Sequence, residues 1–382
     1  MHNKFSGSRL YSIQMLRAVA SIMVLISHSI ITSHGEYKLL SLSGTPLKQY
    51  YNFMGFASAG VDIFFVVSGL IMVFISRDLF QHKHAIRKFL PNRLVRIYPM
   101  YWIMLTTYIS LFLIQALLIN EDELFNVFNE RIGKISYLLS SVTLIPIQYN
   151  TERFYPILVV GWTLVFEIFF YCSFCLVLHF PLKKALYTLT LLFSLLSLVF
   201  IYNGERNMWL LFYFNPILLE FIFGCWLGYL MIHEKFFTVK SLKIVLPIAL
   251  IVLISTIFYE VPELYGLSSL NPYRVIFSGL PAALIVYCIV SMEFRGVLKN
   301  SKLLISLGNS SYSLYLAHAA FIIPITTVIW KKLMLYEYVN STGFVLVLTV
   351  TCIIVSHFLH ILVERPLYLI LRKQLIPVVN KQ

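Results

Sequence analysis

Long apolar segments alternate with short polar stretches from one end of the chain to the other. A helix needs about 20 mostly apolar residues to cross the roughly 30 Å hydrocarbon core of a bilayer, and stretches of this length recur along the chain. The alternation predicts an all-α membrane protein of about ten transmembrane helices, organised as one integral-membrane domain over residues 1–382. The predicted spans are 10–31, 54–76, 97–119, 158–180, 185–202, 209–232, 243–259, 275–291, 304–330 and 343–363.

Two apolar segments need a separate interpretation. Residues 136–149 are apolar but too short to cross a bilayer comfortably, so we expect a re-entrant or interfacial segment there. The first apolar run contains Gln14 and Arg17 and lacks a small-residue cleavage site, which distinguishes it from a secretory signal peptide. We therefore predict that this run is retained as the first transmembrane helix.

The composition agrees with lipid as the main solvent, because 59% of the residues are hydrophobic and only 12% are charged. A formal net charge of +13 could indicate a nucleic-acid partner, but the number of basic residues alternates from one loop to the next. With the N-terminus in the cytoplasm, 20 of the 30 Lys and Arg residues fall in inner segments and 9 in outer ones. The positive-inside rule therefore predicts that both termini are cytoplasmic, with membrane lipid and no nucleic acid beside these charges.

The cysteines do not indicate a metal site. Cys172 and Cys175 form a C-x-x-C within an apolar segment, and the further ligands that a zinc site needs are missing around it. We expect no bound metal.

Polar residues in the first predicted helix share one face. Gln14, Arg17, Ser21 and His28 are spaced by 3, 4 and 7 residues, which places them on one stripe of a 3.6-residue helix. Arg17 and His28 then lie roughly 16 Å apart along the helix axis. Such a stripe can line a channel. In the alternative interpretation, Arg17 reaches the inner headgroups and His28 makes one hydrogen bond between helices.

Other predicted spans also carry polar residues at helical spacing. An ionisable group at membrane depth is costly, so each one is a candidate for function. Taken one at a time, these residues could instead join helices through hydrogen bonds, but as a set they predict a polar cavity. The candidates are Asp62; Thr163, Glu167 and Tyr171; Ser311, Tyr315 and His318; and His357, His360 and Glu364.

The predicted cytoplasmic segment from Arg77 to Arg96 concentrates positive charge. It could bind a polyanion, or it could simply contact anionic lipid under the positive-inside bias. Arg93 and Arg96 are three residues apart, which places them on one face of a helix.

Several motifs in this order resemble those of the acyltransferase-3 family of bacterial multispan O-acyltransferases, in particular its exopolysaccharide-modifying members. They extend from residue 14 to residue 366, and the first has ten residues between Arg17 and His28. The matching segments are QMLRAVASIMVLISH, AGVDIFFVVSG, RLVRIYPMYW, GWTLVFEIFFY, LGNSSYSLYLAH and ERP.

The resemblance implies an activity and a location. It implies transfer of an acyl group, usually acetyl, from cytoplasmic acetyl-CoA or another acyl-CoA to a hydroxyl of a cell-surface or lipid-linked saccharide. The acceptor could be polyprenyl-linked, and the protein would be a multi-pass protein of the bacterial inner (cytoplasmic) membrane. The chain lacks the extra soluble domain that some members carry, so no added module indicates its acceptor.

The resemblance also implies roles for individual residues. The family's essential Arg-x10-His pair maps to Arg17 and His28, and its R-x-x-R element maps to Arg93 and Arg96. Its tryptophan-to-glutamate segment maps to Trp162 and Glu167. The acid-x-proline element near the end maps to Glu364 and Pro366.

Physical chemistry gives these residues a consistent set of tasks. Arg17, Arg93 and Arg96 could hold the phosphates of coenzyme A. A sugar hydroxyl needs a base as it attacks a thioester, and His28 suits this role because the ordinary pKa of histidine is about 6.5. Glu167 or Asp62 could fix the tautomer of His28, and Tyr315 or Asn309 could support the oxyanion. In a covalent variant, His28 takes the acyl group first; the sequence leaves both routes open.

Two other functional classes fit the same polar stripes. A transporter or flippase of a lipid-linked glycan also needs intramembrane charges, although no internal repeat of the kind common in transporters is visible. A sensor or scaffold would use the stripes only to join helices. Binding or hydrolysis of acyl-CoA distinguishes the enzyme from the transporter, whereas a folding defect on loss of His28 would indicate the scaffold.

Overall fold

The structure is a computed structural model that describes residues 10–39, 47–119, 135–146, 156–203, 208–258 and 273–375. Every regular element within these residues is helical, which confirms the all-α prediction. The α-helices of this part of the chain are α1 (Tyr11–Leu39), α2 (Leu47–Ser76), α3 (Ala85–Ile119), α4 (Ile135–Thr143), α5 (Trp162–Val177), α6 (Leu182–Asn203), α7 (Met208–Tyr213), α8 (Leu219–Ile232), α9 (Val239–Ser255), α10 (Leu280–Phe294), α11 (Lys302–Asn309), α12 (Ser311–Ala317), α13 (Ile323–Lys332), α14 (Ser341–Leu359) and α15 (Arg365–Leu375).

Eight helical segments of the described chain are long and apolar enough to cross a bilayer. A further apolar helix, Pro216–Ile232, is shorter. The total of ten spans and the cytoplasmic side of both termini stay predictions, and residues 1–9 and 376–382 lie outside the described part. The eight segments are Tyr11–Ser33, Phe56–Ser76, Ala85–Gln115, Val159–Val177, Leu182–Asn203, Val275–Phe294, Ser311–Lys332 and Ser341–Leu375.

Two predicted spans are interrupted, so their prediction as continuous helices was wrong. In 209–232 the chain leaves the helix after Tyr213 and resumes at Pro216, where the side chain of Asn215 accepts a hydrogen bond from the Ile217 amide at 2.9 Å. Proline has no amide hydrogen to continue the helical ladder. In 304–330 the break falls at Ser310, between α11 and α12. The spans were predicted from the length of apolar segments, and hydrophobicity alone does not reveal such local breaks in a helix.

Close backbone approaches hold the first helices together. α2 packs most extensively against α8 and α1. A Cβ atom at Gly69 would overlap the Phe221 carbonyl of α8, and one at Gly224 would overlap the Val66 carbonyl of α2. Gly308 of α11 lies equally close to the carbonyl of Gln14 in α1. Helices in lipid associate through such small-residue contacts, because the hydrophobic effect does not drive them together there.

The predicted re-entrant or interfacial segment contains the short helix α4, whose last carbonyls are anchored by α3. The Tyr98 hydroxyl donates to the Thr143 carbonyl at 2.7 Å, and the Tyr101 hydroxyl donates to the Ser141 carbonyl at 2.7 Å. The Trp102 indole donates to the Val142 carbonyl at 2.9 Å. These bonds satisfy carbonyls that a helix end leaves without a partner. Residues 147–149 of the predicted segment lie outside the described chain.

Three single π-helical turns interrupt the described helices: Val275–Gly279, His318–Ile322 and His360–Glu364. Two begin at a histidine, and the third directly follows Arg274. A π-turn shifts the faces of the helix on its two sides relative to each other, and such turns are frequent at functional sites. The polar residues at these three turns are therefore candidates for function.

Candidate active site

Two cavities of about 320 Å³ each meet at the N-terminal half of α1. They share Gln14, Arg17 and Arg96. The first, which we name the aromatic cavity, is lined by those three residues together with Val61, Phe64, Phe65, Val67, Ser68, Ile71, Met72, Ile75, Arg93, Ile97, Thr163, Leu164, Glu167, Tyr171, Ser311, Tyr312 and Tyr315. The second, the carboxylate cavity, adds Val95, Pro99, Met100, Asn309, His360, Glu364, Arg365, Leu367, Tyr368 and Leu369 to them.

Three arginines around these cavities keep their hydrogen-bonding capacity free. Arg17, Arg93 and Arg96 make no side-chain hydrogen bond and no ion pair with any described residue. Arg93 lies over the ring of Phe89, 5.8 Å from its centroid, and its buried Nε has no acceptor. A guanidinium presents five N–H donors in a planar fork that matches phosphate and carboxylate. The arrangement can therefore receive an anionic ligand.

Glu167 faces the aromatic cavity. One of its oxygens, Oε1, accepts hydrogen bonds from Ser68 at 2.9 Å and from Tyr171. Neither partner is a cation, although the unpaired arginines line the same cavity. The structure gives Glu167 no contact with His28, so it does not support the predicted role of orienting that ring.

His28 meets a second histidine instead of a carboxylate. His28 Nδ1 and His318 Nε2 are 2.7 Å apart, and the two rings meet edge to edge in nearly one plane, with centroids separated by 4.9 Å and an interplanar angle of 16°. His318 is fully buried, and its Nδ1 lies 2.8 Å from the Leu314 carbonyl. The ring of Tyr315 lies 6.0 Å from that of His318 and lines the aromatic cavity. The histidine pair therefore adjoins the aromatic cavity through Tyr315.

Tyr315 does not offer a free donor for an oxyanion. Its hydroxyl donates to the Val160 carbonyl at 2.8 Å and contacts the Thr163 hydroxyl at 2.7 Å. A phenol has one hydrogen, and this one is already used. The prediction that Tyr315 supports an oxyanion therefore disagrees with the structure. Asn309, the other candidate for that role, lines the carboxylate cavity and is exposed.

Asp62 also differs from its predicted role. Its carboxylate forms a two-point ion pair with Arg274, at 2.6 Å and 3.0 Å, and both side chains are buried. Arg274 donates in addition to the Ser58 carbonyl at 3.0 Å. Asp62 lines neither cavity and does not contact His28, so it is a structural ion pair between α2 and the start of the α10 segment. Sequence inspection assigned Arg274 to an outer loop and missed this partner.

The last helices bring a further polar cluster to the carboxylate cavity. Glu364 accepts a hydrogen bond from Ser313 of α12 at 2.6 Å and pairs with His360 at 2.8 Å. The predicted stripe is only partly maintained, because the π-turn begins at His360. His357 lines neither cavity, and its buried Nδ1 has no partner in the described chain.

Trp162 contributes packing. It meets Phe65 and Phe166 edge-on, at 6.4 Å and 5.8 Å between ring centroids, and it lines neither cavity. Trp162 begins α5, and the polar stripe that follows it lines the aromatic cavity with Thr163, Glu167 and Tyr171.

Comparison with known proteins agrees with this arrangement. The profile of the acyltransferase domain called acyltransferase 3 matches residues 10–360, which is most of the chain. The chain belongs to the acyltransferase-3 family. It is therefore a membrane acyltransferase with several membrane-spanning helices, as its motifs predicted.

A curated relative in the comparison is the exopolysaccharide production protein ExoZ of Rhizobium meliloti (strain 1021). It is 28% identical over 311 residues, which cover 81% of this chain and 89% of the relative. No solved structure matches the chain. In this acyltransferase, the first-helix pair of the family motif occupies two distinct environments: Arg17 lines both cavities, and His28 lies against His318.

Proposed function

We propose that this acyltransferase moves an acetyl group from cytoplasmic acetyl-CoA to a hydroxyl of a bacterial polysaccharide or its lipid-linked precursor. The observation that carries the proposal is the group of three unpaired arginines that line the aromatic cavity, two of which, Arg17 and Arg96, also line the carboxylate cavity. A protein that used these polar residues only to join helices would pair such cations, because an isolated buried charge is costly. The family supplies the reaction type, and the name of the ExoZ relative supports a polysaccharide acceptor.

Coenzyme A fits the chemistry of this group of arginines. Its phosphates are multiply charged, and charge-assisted hydrogen bonds from arginine are the strong ones. Arg17, Arg93 and Arg96 would bind the phosphates at the cytoplasmic side. The aromatic cavity would take the flexible arm, so that the thioester extends toward Tyr315 and the histidine pair.

Transfer then needs a base for the acceptor hydroxyl. In the direct route, His28 removes the hydroxyl proton while the oxygen attacks the thioester carbonyl. A C–O bond forms, the C–S bond breaks, and the released thiolate of coenzyme A takes the proton from His28, which returns to its neutral form. His28 lies in the C-terminal half of α1, so the predicted topology places the reaction toward the outer half of the bacterial inner membrane.

The test is the acetyl content of surface polysaccharide in cells with the wild-type protein, without it, and with His28→Ala. General-base catalysis contributes about 10²- to 10⁴-fold, so we expect His28→Ala to reduce acetylation to the level of cells lacking the protein. Protein abundance must match the wild type. His84→Ala, in an exposed turn outside both cavities, is the matched histidine control and should leave acetylation unchanged. Near-normal acetylation by the His28→Ala protein would contradict the proposal.

A further inference from the structure

We infer that His318 is a positioning residue that holds His28 in the tautomer whose Nε2 carries the lone pair, so that Nε2 is the atom that acts on the acceptor. The inference rests on the proposed function for its chemical meaning. The tautomer itself follows from hydrogen bonds that are independent of any substrate.

The hydrogen bond of His318 to the backbone determines which of its ring nitrogens is protonated. Its Nδ1 lies 2.8 Å from the Leu314 carbonyl oxygen, and a carbonyl oxygen can only accept. Nδ1 of His318 must therefore be the protonated nitrogen. A neutral imidazole carries one N–H, so Nε2 of His318 is an acceptor.

The state of His318 determines which ring nitrogen of His28 carries the hydrogen. Its Nδ1 lies 2.7 Å from His318 Nε2, which is hydrogen-bonding distance and needs one hydrogen between the two nitrogens. Because His318 Nε2 is the acceptor, His28 Nδ1 is the donor. His28 Nε2 is then unprotonated and can take a proton, since the hydrogen bond at one ring nitrogen sets the state of the other.

The surroundings keep this chain of hydrogen bonds in place. His318 is 1% exposed, it begins a π-turn, and its ring lies nearly in the plane of the His28 ring, with an interplanar angle of 16°, as a hydrogen bond between ring nitrogens requires. No described Asp or Glu contacts either ring, and the acids that line the two cavities are engaged elsewhere: Glu167 with Ser68 and Tyr171, and Glu364 with Ser313 and His360. A neutral histidine thus takes the orienting position that a carboxylate holds in many catalytic triads. When His28 gains the hydroxyl proton, its Nδ1–H bond to His318 becomes charge-assisted.

Two substitutions at one position separate this role from simple packing. The side-chain oxygen of glutamine reaches approximately where Nε2 of histidine lies, so His318→Gln can still accept from His28 Nδ1. The side-chain amide of asparagine reaches only the position of Nδ1. His318→Asn can therefore keep the hydrogen bond to the Leu314 carbonyl but loses the hydrogen bond to His28. We expect His318→Gln to retain acetyl transfer within about tenfold and His318→Asn to lose roughly 10²-fold or more in kcat, with the KM for acetyl-CoA unchanged. Equal activity of the two variants, or the reverse order, would overturn the inference.

A measurement without substrate gives an independent test. Purified full-length protein labelled with ¹⁵N-histidine is compared with His28→Ala to identify the His28 ring signals, at a pH above the ordinary histidine pKa of about 6.5. We expect the protonated nitrogen of His28 to be Nδ1 in the wild type and this preference to be lost in His318→Asn. Protonation at Nε2 in the wild type would overturn the inference even if the acetylation assay succeeds. The predicted tautomer, together with an active His28→Ala protein, would overturn only the proposed function.

Discussion

Arginine side chains that line a cavity without a protein partner retain their donors for a ligand. Arg93 and Arg96 are in this state, so each should contribute to the binding of acyl-CoA. Hydrogen bonds to charged groups contribute about 1.5–3 kcal/mol, so Arg93→Ala or Arg96→Ala should weaken CoA binding roughly 10- to 100-fold. The lysine variants should recover only part of it, because lysine lacks the two-point fork. Calorimetric titration of purified protein with CoA measures the change.

Arg77 supplies the control for this titration. It belongs to the same basic segment, pairs with Asp78 at 3.6 Å and lines neither cavity. Arg77→Ala should leave CoA affinity unchanged. If Arg93→Ala, Arg96→Ala and Arg77→Ala all bind CoA like the wild type, the basic segment contacts lipid, and the acyl donor must bind elsewhere.

The buried pair of Asp62 and Arg274 should affect stability and not chemistry. Removing one partner of a buried ion pair typically costs about 3–5 kcal/mol, because the other charge is left uncompensated. Asp62→Leu should therefore lower the thermal midpoint of the purified protein and its abundance in the membrane. The double variant Asp62→Leu/Arg274→Met should recover part of the loss, since two apolar side chains leave no unpaired charge from this pair. A normally stable Asp62→Leu protein without activity would instead restore Asp62 as a catalytic candidate.

At the scale of the helices, α2 and α8 depend on the absence of side chains where they cross. Gly69→Ala should force the two backbones apart, because the new methyl group would overlap the carbonyl of Phe221. Overpacking of this kind costs about 1–3 kcal/mol, so the thermal midpoint should fall. Gly35→Ala is the matched control, since nothing lies within 4 Å of its added Cβ. Equal stability of the two variants would show that α2 and α8 can separate without loss.

Helical periodicity correctly predicts which polar residues share a face in one helix but only partly does so in another. In α1, Arg17 and His28 do lie on inward-facing positions of one uninterrupted helix. In the last helices, a π-turn beginning at His360 shifts the register, so His360 and Glu364 reach the carboxylate cavity and His357 does not. A regular 3.6-residue repeat does not predict such a turn, because a π-turn departs from that repeat.

For the whole molecule, the distribution of basic residues predicts which side each loop faces. His84→Cys, in the turn between α2 and α3, should react with a membrane-impermeant thiol reagent only from the cytoplasm. Tyr338→Cys, 80% exposed between α13 and α14, should react only from outside. Four of the five native cysteines are buried, and unsubstituted protein gives the background of exposed Cys172. Labelling of His84→Cys from outside alone would reverse the orientation and the cytoplasmic assignment of the donor site.

The helical membrane character and the family could be predicted correctly from the sequence alone. Apolar length and ordered motifs are local properties, so they can be read without knowing which helices touch, and both interpretations are confirmed. The roles of the site residues stay predictions, although Arg17, Arg93 and Arg96 do line one cavity together.

Which polar side chains become partners depends on how the helices pack, and the sequence does not reveal it. Asp62 and Arg274 are separated by 212 positions along the chain, and His28 and His318 by 290. Asp62, His28 and His318 were all candidates for the site, yet the first forms a buried ion pair and the two histidines contact each other beside the aromatic cavity. Hydrogen bonds depend on distances of a few ångströms between atoms, and those distances are set by how helices distant in sequence pack together.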